Sequence, residues 1–400
     1  MRLSEKKRLA LVLSGGGIKA AAFHIGVCLA LREKGFRFAG GFGPRLIEDE
    51  VSPLTFRQYV GSSAGSVIST FLAAGYSLDA VINAFMQGAA KSAMLGSRPS
   101  DSYLKPINYR DIFALNVRAG HPTQLLTGLF KKKPVISGGI EVLLKRGFKM
   151  NGIFTTRNIE RYLRKHVIPE NDFAKLSVDL HVVATQLNHS RKVVFGSFQE
   201  TTKTKDIKYA NYAPISEAVA ASASLPPFFA PYPITNVQGK KIYFFDGEIR
   251  DTLSTHVAAD HGADLVIASY SIQPYHFNDE MGSLHNYGIP MIFNQALYQV
   301  VQQKIEKHIK HQQNTRALIN AVQGYLRQAQ IAEEHVEKLT EILIQRSNFN
   351  PKVDYIYIHP SPQDHQFFFY DHFSLNPKIL SDIVKTGFKA AVNTLRAYNI

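Results

Sequence analysis

Cysteine is almost absent from this 400-residue chain, and that scarcity sets a first limit on its chemistry. Cys28 is the only thiol, so no intrachain disulfide can form and nothing in the sequence requires an oxidising compartment. The residue lies in an apolar stretch, where we expect it to be buried and unreactive.

Long hydrophobic runs are also missing. No run approaches the roughly 18 apolar residues that a bilayer-spanning helix needs. The basic start of the chain leads into a short apolar run at residues 9–13 and then into three glycines, which is typical of a strand and a turn and not of a secretory signal. The sequence therefore predicts a cytoplasmic or peripheral membrane protein, and leaves export by a non-classical route open.

Positive charge, by contrast, is in excess. The chain has 46 basic and 32 acidic side chains and a net charge of +14. Such a surplus favours polyanionic partners such as anionic lipid headgroups, although a generally solvated basic surface would also carry it. Zinc-ligand spacing, nucleic-acid-binding motifs and repeated stacking aromatics are lacking, so we expect no nucleic acid, no metal and no other cofactor. The oligomeric state is left open.

The order of short apolar runs and helix-period stretches predicts the fold class. Strands are expected at residues 8–14, 56–60, 179–187, 192–197, 240–245 and 264–270, and helices at residues 18–33 and 64–74. This alternation indicates an α/β sandwich with a largely parallel sheet.

Two segments interrupt this rhythm. Residues 90–150 have weak periodicity and are rich in Gly, Pro, Ser and Lys, which predicts a lid-like or mobile insertion in a core that covers residues 1–275. Residues 290–346 predict two or three helices. A strand at residues 353–359 and a helix at residues 376–398 follow, so we expect the segment 276–400 to return to the same domain.

Three motifs carry candidate chemistry. Residues 61–65 read G-x-S-x-G, with Ser63 between Gly61 and Gly65 on a predicted strand-to-helix turn. The glycines at positions 15, 16 and 17 lie between the first strand and the first helix, where their N–H groups could hold an oxyanion or a phosphate. Asp246 and Gly247 directly follow an apolar strand.

Each motif taken alone also fits an ordinary turn. Together they argue for more, because each is expected at the carboxyl end of a strand and those ends face one crevice in an open α/β sheet. A nucleophile, an oxyanion loop and a carboxylate that converge there would form an acyl-transfer site.

The set resembles the patatin-like phospholipase family, which carries a glycine-rich oxyanion loop, G-x-S-x-G and Asp-Gly in this order. Residues 221–231, ASASLPPFFAP, are similar to the family's A-S-x-[SA]-x-P-x-x-F-x-P stretch. The four motifs span residues 14–248. The resemblance implies a three-layer α/β/α sandwich with a mostly parallel central sheet, followed here by a C-terminal helical segment.

The resemblance also implies a Ser–Asp dyad. Ser63 would attack the ester carbonyl, Asp246 would take its proton directly, and the amides of Gly15, Gly16 and Gly17 would stabilise the oxyanion. Composition alone leaves a triad open, because three histidines follow Asp246 in the order used by α/β-hydrolases: His256, His261 and His359.

Three positions depart from the family pattern. Ala20 stands where a glycine commonly closes the oxyanion motif, and Lys19 where arginine is frequent. Glu248 replaces the small residue that typically follows Asp-Gly. We expect the Glu248 side chain to point to solvent; the alternative is that it couples to Asp246.

The implied function is that of a lipid acyl hydrolase of the phospholipase A or lysophospholipase type. A neutral-lipid or short-chain carboxylesterase and a non-catalytic, basic lipid-binding scaffold remain alternatives. Contact with an anionic membrane surface could come from the lysines at residues 129–136 or from the predicted helices at residues 291–345. We expect the aromatic run at residues 367–370 to be core.

Overall fold

A computed structural model describes residues 3–47, 51–86, 104–116, 151–189, 191–204, 206–250, 252–347 and 349–399. Most of the predicted insertion at residues 90–150, including the lysines at 129–136, lies outside the described residues. The division of the chain at residue 275 stays a prediction.

The described strands are β1 (Leu9–Leu13), β2 (Arg37–Phe38), β3 (Thr55–Ser62), β4 (Ala114–Leu115), β5 (Phe154–Thr155), β6 (Asp179–Gln186), β7 (Arg191–Phe195), β8 (Thr202–Lys203), β9 (Ile207–Ala210), β10 (Tyr232–Thr235), β11 (Lys241–Asp246), β12 (Leu265–Ser269) and β13 (Asp354–Ile358). The main sheet has the order β13-β12-β1-β3-β6-β7-β9-β8. Neighbours are parallel from β13 to β6, which confirms a mostly parallel central sheet.

The described helices are α1 (Gly17–Glu33), α2 (Ala64–Ala73), α3 (Leu78–Phe85), α4 (Tyr109–Ile112), α5 (Arg157–His166), α6 (Ile215–Ser222), α7 (Thr255–Asp260), α8 (Ile289–Gln328), α9 (Glu333–Ser347), α10 (His365–Phe369) and α11 (Pro377–Leu395). Among the described residues, no helix combines the length and the apolar character that crossing a bilayer requires.

Side-chain alternation along β1 divides the core into two faces. Leu9, Leu11 and Leu13 pack with α1, α2, α3 and α11 on one side of the sheet. Ala10 and Val12 pack with α7 and with the inner side of α8 on the other. Because successive side chains of a strand point to opposite faces, one buried strand can hold helices on both sides, and the three layers follow.

The first and last described helices, α1 and α11, cross with their backbones almost in contact. A Cβ built at Gly26 would lie 2.0 Å from the carbonyl oxygen of Val384, and one at Gly387 would lie 2.2 Å from that of Phe23. Only glycine allows such an approach, so α11 is packed directly on the helix that begins at the glycine loop. Cys28 on α1 is buried as expected, and burial raises the pKa of its thiol to about 12.

Candidate active site

Ser63 lies on the sharp turn between β3 and α2. Its backbone has φ 50° and ψ −123°, a conformation that a non-glycine residue adopts only under strain. The turn depends on small neighbours, because a Cβ at Gly61 would lie 2.4 Å from the Cα of Ser66 and a Cβ at Gly65 would lie 2.1 Å from the carbonyl oxygen of Leu13. The spacing of the pentapeptide is therefore a backbone requirement.

Two strands meet end to end beside β6, and this brings the serine to the aspartate. β3 runs parallel to β6 and ends with Ser62 opposite Val183. β11 runs antiparallel to β6 and ends with Asp246 opposite Ala184, the next residue of β6. The expected convergence occurs, but the reason given for it was incomplete: β11 reaches the crevice from the opposite direction.

Asp246 is buried and contacts Ser63 directly. The hydroxyl of Ser63 hydrogen-bonds its carboxylate, and Oδ1 also accepts the backbone N–H of Glu248 at 2.9 Å. The residue is 2% exposed, and this burial raises the pKa of the carboxyl to about 6 although both hydrogen bonds oppose the shift. A carboxylate with this pKa is a better base for a hydroxyl than one in water.

The glycine loop connects β1 to α1 and lies beside Ser63, because Leu13 is paired with Gly61. Gly16 has φ 133° and Gly17 has φ 72°, so the loop uses backbone conformations that favour glycine. Within the described residues, the N–H groups of these two glycines have no hydrogen-bond acceptor. They lie at the amino end of α1, where the helix dipole favours negative charge.

The N–H of Gly15 has an acceptor already. It donates to Oε1 of Glu248 at 2.8 Å. A Cβ at Gly15 would lie 2.6 Å from Cγ of Glu248 and 2.8 Å from Cβ of Ser63, so the three residues share one small space. Our expectation that Glu248 points to solvent was wrong: the residue is 7% exposed, because the short helical turn after Asp246 directs its side chain back into the site.

An apolar cavity opens beside Ser63. Its lining comes from α1, α2, α3, α4 and α5 and from the segments that follow α6 and α10, and includes Val67, Phe71, Phe85, Ile159, Leu163, Phe229 and Phe373. Asp111 is the acidic member of this lining and is paired with Lys105.

Comparison with known proteins decides the family. The sequence model of patatin-like phospholipases matches residues 11–259, more than half of the chain. The chain belongs to the patatin-like phospholipase family. Among solved structures, the crystal structure of VipD from Legionella pneumophila is similar to this chain at 16% identity and a TM-score of 0.39, covering 98% of this chain and 67% of that one. Among curated proteins, none matches.

The histidines left open as triad members lie elsewhere in this patatin-like chain. His256 contacts Lys192, the ring of His261 lies tilted against that of His181, and His359 stacks against Tyr270. In the part of the chain that the structure describes, no histidine contacts the Ser63 hydroxyl or the Asp246 carboxylate. The same part holds no cluster of metal-ligating side chains.

Lys19 points away from the glycine loop. Its ammonium lies 4.4 Å from the centre of the Phe367 ring and donates to the carbonyl oxygen of Phe368 at 3.4 Å. Burial lowers the pKa of Lys19 to about 7. The side chain of Lys19 therefore ties α1 to α10. In the aromatic run that we expected to be core, Phe367 and Phe368 are buried, whereas Phe369 and Tyr370 are half-buried.

Two parts of the site gave no functional signal in the sequence. Ser222 accepts the backbone N–H of Ser63 at 2.8 Å and donates to the carbonyl oxygen of Val183 at 2.6 Å. The carbonyl oxygen of Ser224 accepts the N–H of Asp246 at 3.1 Å. The A-S-x-S block, used above only for its resemblance, thus holds both Ser63 and Asp246; alignment with its motif could have suggested this.

Residues beyond the family match complete the site. The carbonyl oxygen of His372 accepts the N–H of Lys19 at 3.1 Å, and its Nδ1 lies 3.3 Å from the carbonyl oxygen of Gly16. Phe373 lines the cavity. Nothing in the local sequence indicates this role, because the contacts join residues more than 350 positions apart.

Ser222→Ala is expected to lower kcat for ester hydrolysis by about 10- to 100-fold. The substitution leaves the buried N–H of Ser63 without its acceptor, a loss of about 1–3 kcal/mol that falls on a strained turn. Ser224→Ala is the matched control, because the Ser224 hydroxyl donates to Ala220 and does not contact Ser63. Equal losses in the two variants would show that the block acts on general stability.

Proposed function

We propose that this chain hydrolyses fatty-acyl esters of phospholipids, as a phospholipase A or lysophospholipase, with Ser63 as nucleophile and Asp246 as general base. Membership of the family supports lipid acyl hydrolysis in general. One observation carries the finer assignment: β3 and β11 end opposite consecutive residues of β6, so the Ser63 hydroxyl hydrogen-bonds the Asp246 carboxylate beside an apolar cavity.

In the first half of the reaction, Ser63 Oγ attacks the ester carbonyl carbon and its proton passes to Asp246. The carbonyl oxygen becomes an oxyanion, which the N–H groups of Gly16 and Gly17 and the amino end of α1 would stabilise. When the tetrahedral intermediate collapses, the bond to the alkoxy oxygen breaks and Asp246 returns the proton to that leaving group. The products are a lipid alcohol and an acyl-enzyme on Ser63.

In the second half, Asp246 takes a proton from water and the resulting hydroxide attacks the acyl carbonyl. Collapse of this intermediate releases the fatty acid and returns the proton to Ser63. The apolar cavity supports the assignment of the acyl part, because a fatty-acyl chain gains free energy by burial against such a lining.

The proposal is tested by a panel of phospholipids, lysophospholipids, neutral lipids and short-chain esters, with products resolved by mass spectrometry. We expect free fatty acid and lysolipid from the wild type and no product from Ser63→Ala. Turnover restricted to neutral lipids or short esters would select the esterase alternative. No turnover, and no labelling of Ser63 by an organophosphonate in the presence of vesicles, would favour the scaffold.

Asp246 should also set the pH dependence of the reaction. The base works only when ionised, and its pKa is raised to about 6, so kcat/KM for a soluble ester should fall about tenfold per pH unit as the pH drops below 6. The pKa of Lys19 is also shifted, so titration of this side chain could produce a similar fall in kcat/KM at low pH. Lys19→Met should show the same fall in kcat/KM below pH 6. If the fall disappears in this variant, it cannot be assigned to Asp246.

We also propose peripheral contact with an anionic membrane surface, through the outer face of α8. This face comprises Ile289, Ile292, Phe293, Leu297 and Val300, with side chains 46–82% exposed. The spacing repeats every three to four residues, so these side chains form one stripe about 16 Å long. The opposite side of the helix is anchored, because Tyr298 and Ile305 are buried in the protein.

Charge on the same helix supports an anionic surface as the partner. Lys304, Lys307 and Lys310 follow the apolar stripe within three turns, and all three are exposed. An apolar end that enters the acyl boundary with lysines at headgroup level is typical of helices at lipid surfaces.

Vesicle binding tests this surface without hydrolysis when all variants also carry Ser63→Ala. We expect Phe293→Glu to lower affinity for vesicles of phosphatidylcholine and phosphatidylserine by about tenfold or more. Lys307→Gln should lower it by about fivefold, but only when phosphatidylserine is present. Val237→Glu is the control, since this valine is exposed in the turn between β10 and β11. Equal losses in the control, or self-association through the stripe in place of vesicle binding, would overturn the assignment.

A further inference from the structure

The oxyanion loop holds an internal carboxylate. Gly15 N–H, the first of the three loop amides, donates to Glu248 Oε1 at 2.8 Å, and the side chains of Glu248 and Ser63 lie against the same side of Gly15. An ester whose carbonyl carbon is attacked by Ser63 must bring its oxygen into this space. A carboxylate oxygen and a developing oxyanion carry like charge and use the same donor, so the two cannot occupy the position together.

We propose that Glu248 acts as an internal competitor of the oxyanion, which the reacting ester must displace before Gly15 can donate to it. The inference rests on the proposed function of Ser63 and Asp246 and adds a regulating residue to that site. In the resting arrangement the N–H groups of Gly16 and Gly17 have no acceptor in the described part of the chain, whereas that of Gly15 is taken by Glu248. Displacement of Glu248 adds the third donor.

The arrangement around Glu248 fixes its backbone and leaves the side chain able to move. Its backbone N–H donates to Asp246 Oδ1 at 2.9 Å, and Gly247 fits where a Cβ would lie 2.4 Å from the carbonyl oxygen of Val183. The short helical turn therefore has little freedom at its start, and the side chain is the part that can move. A rotation of the Glu248 side chain frees Gly15 without disturbing the catalytic base.

Glu248→Ala removes the competitor and is the direct test. We expect the rate of Ser63 phosphonylation by an organophosphonate, and kcat/KM for a soluble short-chain ester, to rise by about 10- to 100-fold, because one oxyanion donor commonly changes rates by a factor of this size or more. Glu248→Gln still offers an oxygen to Gly15 but no charge, so its rate should fall between wild type and Glu248→Ala. A loss of a merely structural side chain would not raise the rate.

Acetate provides a second readout. In Glu248→Ala a small carboxylate can enter the vacated position, so acetate should inhibit this variant competitively and leave the wild type unaffected. If Glu248→Ala does not fold, Glu248→Asp replaces it, because a side chain shorter by one methylene no longer reaches Gly15.

Two outcomes separate this inference from the proposed function. If the wild type is labelled at Ser63 and Glu248→Ala is labelled no faster, the competitor role is wrong and the dyad stands. If neither protein is labelled at Ser63, the proposed function fails and the competitor role fails with it.

Discussion

Asp246→Asn is expected to lower kcat for ester hydrolysis by about 10³-fold, and Ser63→Ala is expected to remove both turnover and covalent labelling. The asparagine has nearly the shape of the aspartate but cannot take the proton of the Ser63 hydroxyl, so the nucleophile stays protonated during attack. Because Asp246 is buried and contacts Ser63 directly, no neighbouring histidine among the described residues can replace it. Kinetics with a soluble ester, together with thermal unfolding of each variant, measure this effect.

Asp111→Asn is the matched control for that loss. Asp111 is also an aspartate at the cavity beside Ser63, but its carboxylate pairs with Lys105 and accepts the N–H of Asn108. We expect its kcat to stay within a few-fold of the wild type. A large loss in Asp111→Asn combined with an active Asp246→Asn would refute the assignment of the base.

Gly387→Ala is expected to lower the free energy of unfolding by about 3 kcal/mol. The added methyl group would lie 2.2 Å from the backbone carbonyl oxygen of Phe23, and no side-chain rotation can relieve a contact with backbone. The helices α1 and α11 must then separate. Because α1 begins at the glycine loop, activity should fall together with stability, as measured by denaturant unfolding and ester hydrolysis.

Gly324→Ala makes the same substitution in α8 with the opposite expectation. A Cβ at Gly324 meets no atom within 4 Å, so alanine should raise helix stability by up to about 1 kcal/mol. If both variants changed stability in the same direction, helix propensity would explain the results and the close crossing of α1 and α11 would not.

The fold class was accessible from sequence because local patterns report local geometry. Buried strands are short apolar runs, and the observed strands β1, β3, β6, β11 and β12 differ from the predicted ranges by at most two residues at either end. The turn at Ser63 was also predictable, since a strained turn against backbone atoms tolerates only small residues at Gly61 and Gly65.

The internal order of the site was not accessible in this way. Apolar periodicity shows which side of a strand is buried but carries no information on its direction or its neighbours. The antiparallel course of β11 was therefore missed. Glu248 was misjudged for a related reason: a charged residue two positions after a buried aspartate is usually solvated, and only the distant Gly15 explains its burial.

By itself, the sequence determined the family, the mostly parallel sheet and the motif glycines, because each of these depends on residues close together in the chain. Tertiary structure alone decided that Asp246 contacts Ser63. It also decided that the Ser222 hydroxyl accepts the backbone N–H of Ser63 and that the Glu248 carboxylate accepts that of Gly15. These contacts join segments up to 233 positions apart. Their distances follow from strand order and helix packing, which minimise the free energy of the whole chain and not of any one segment.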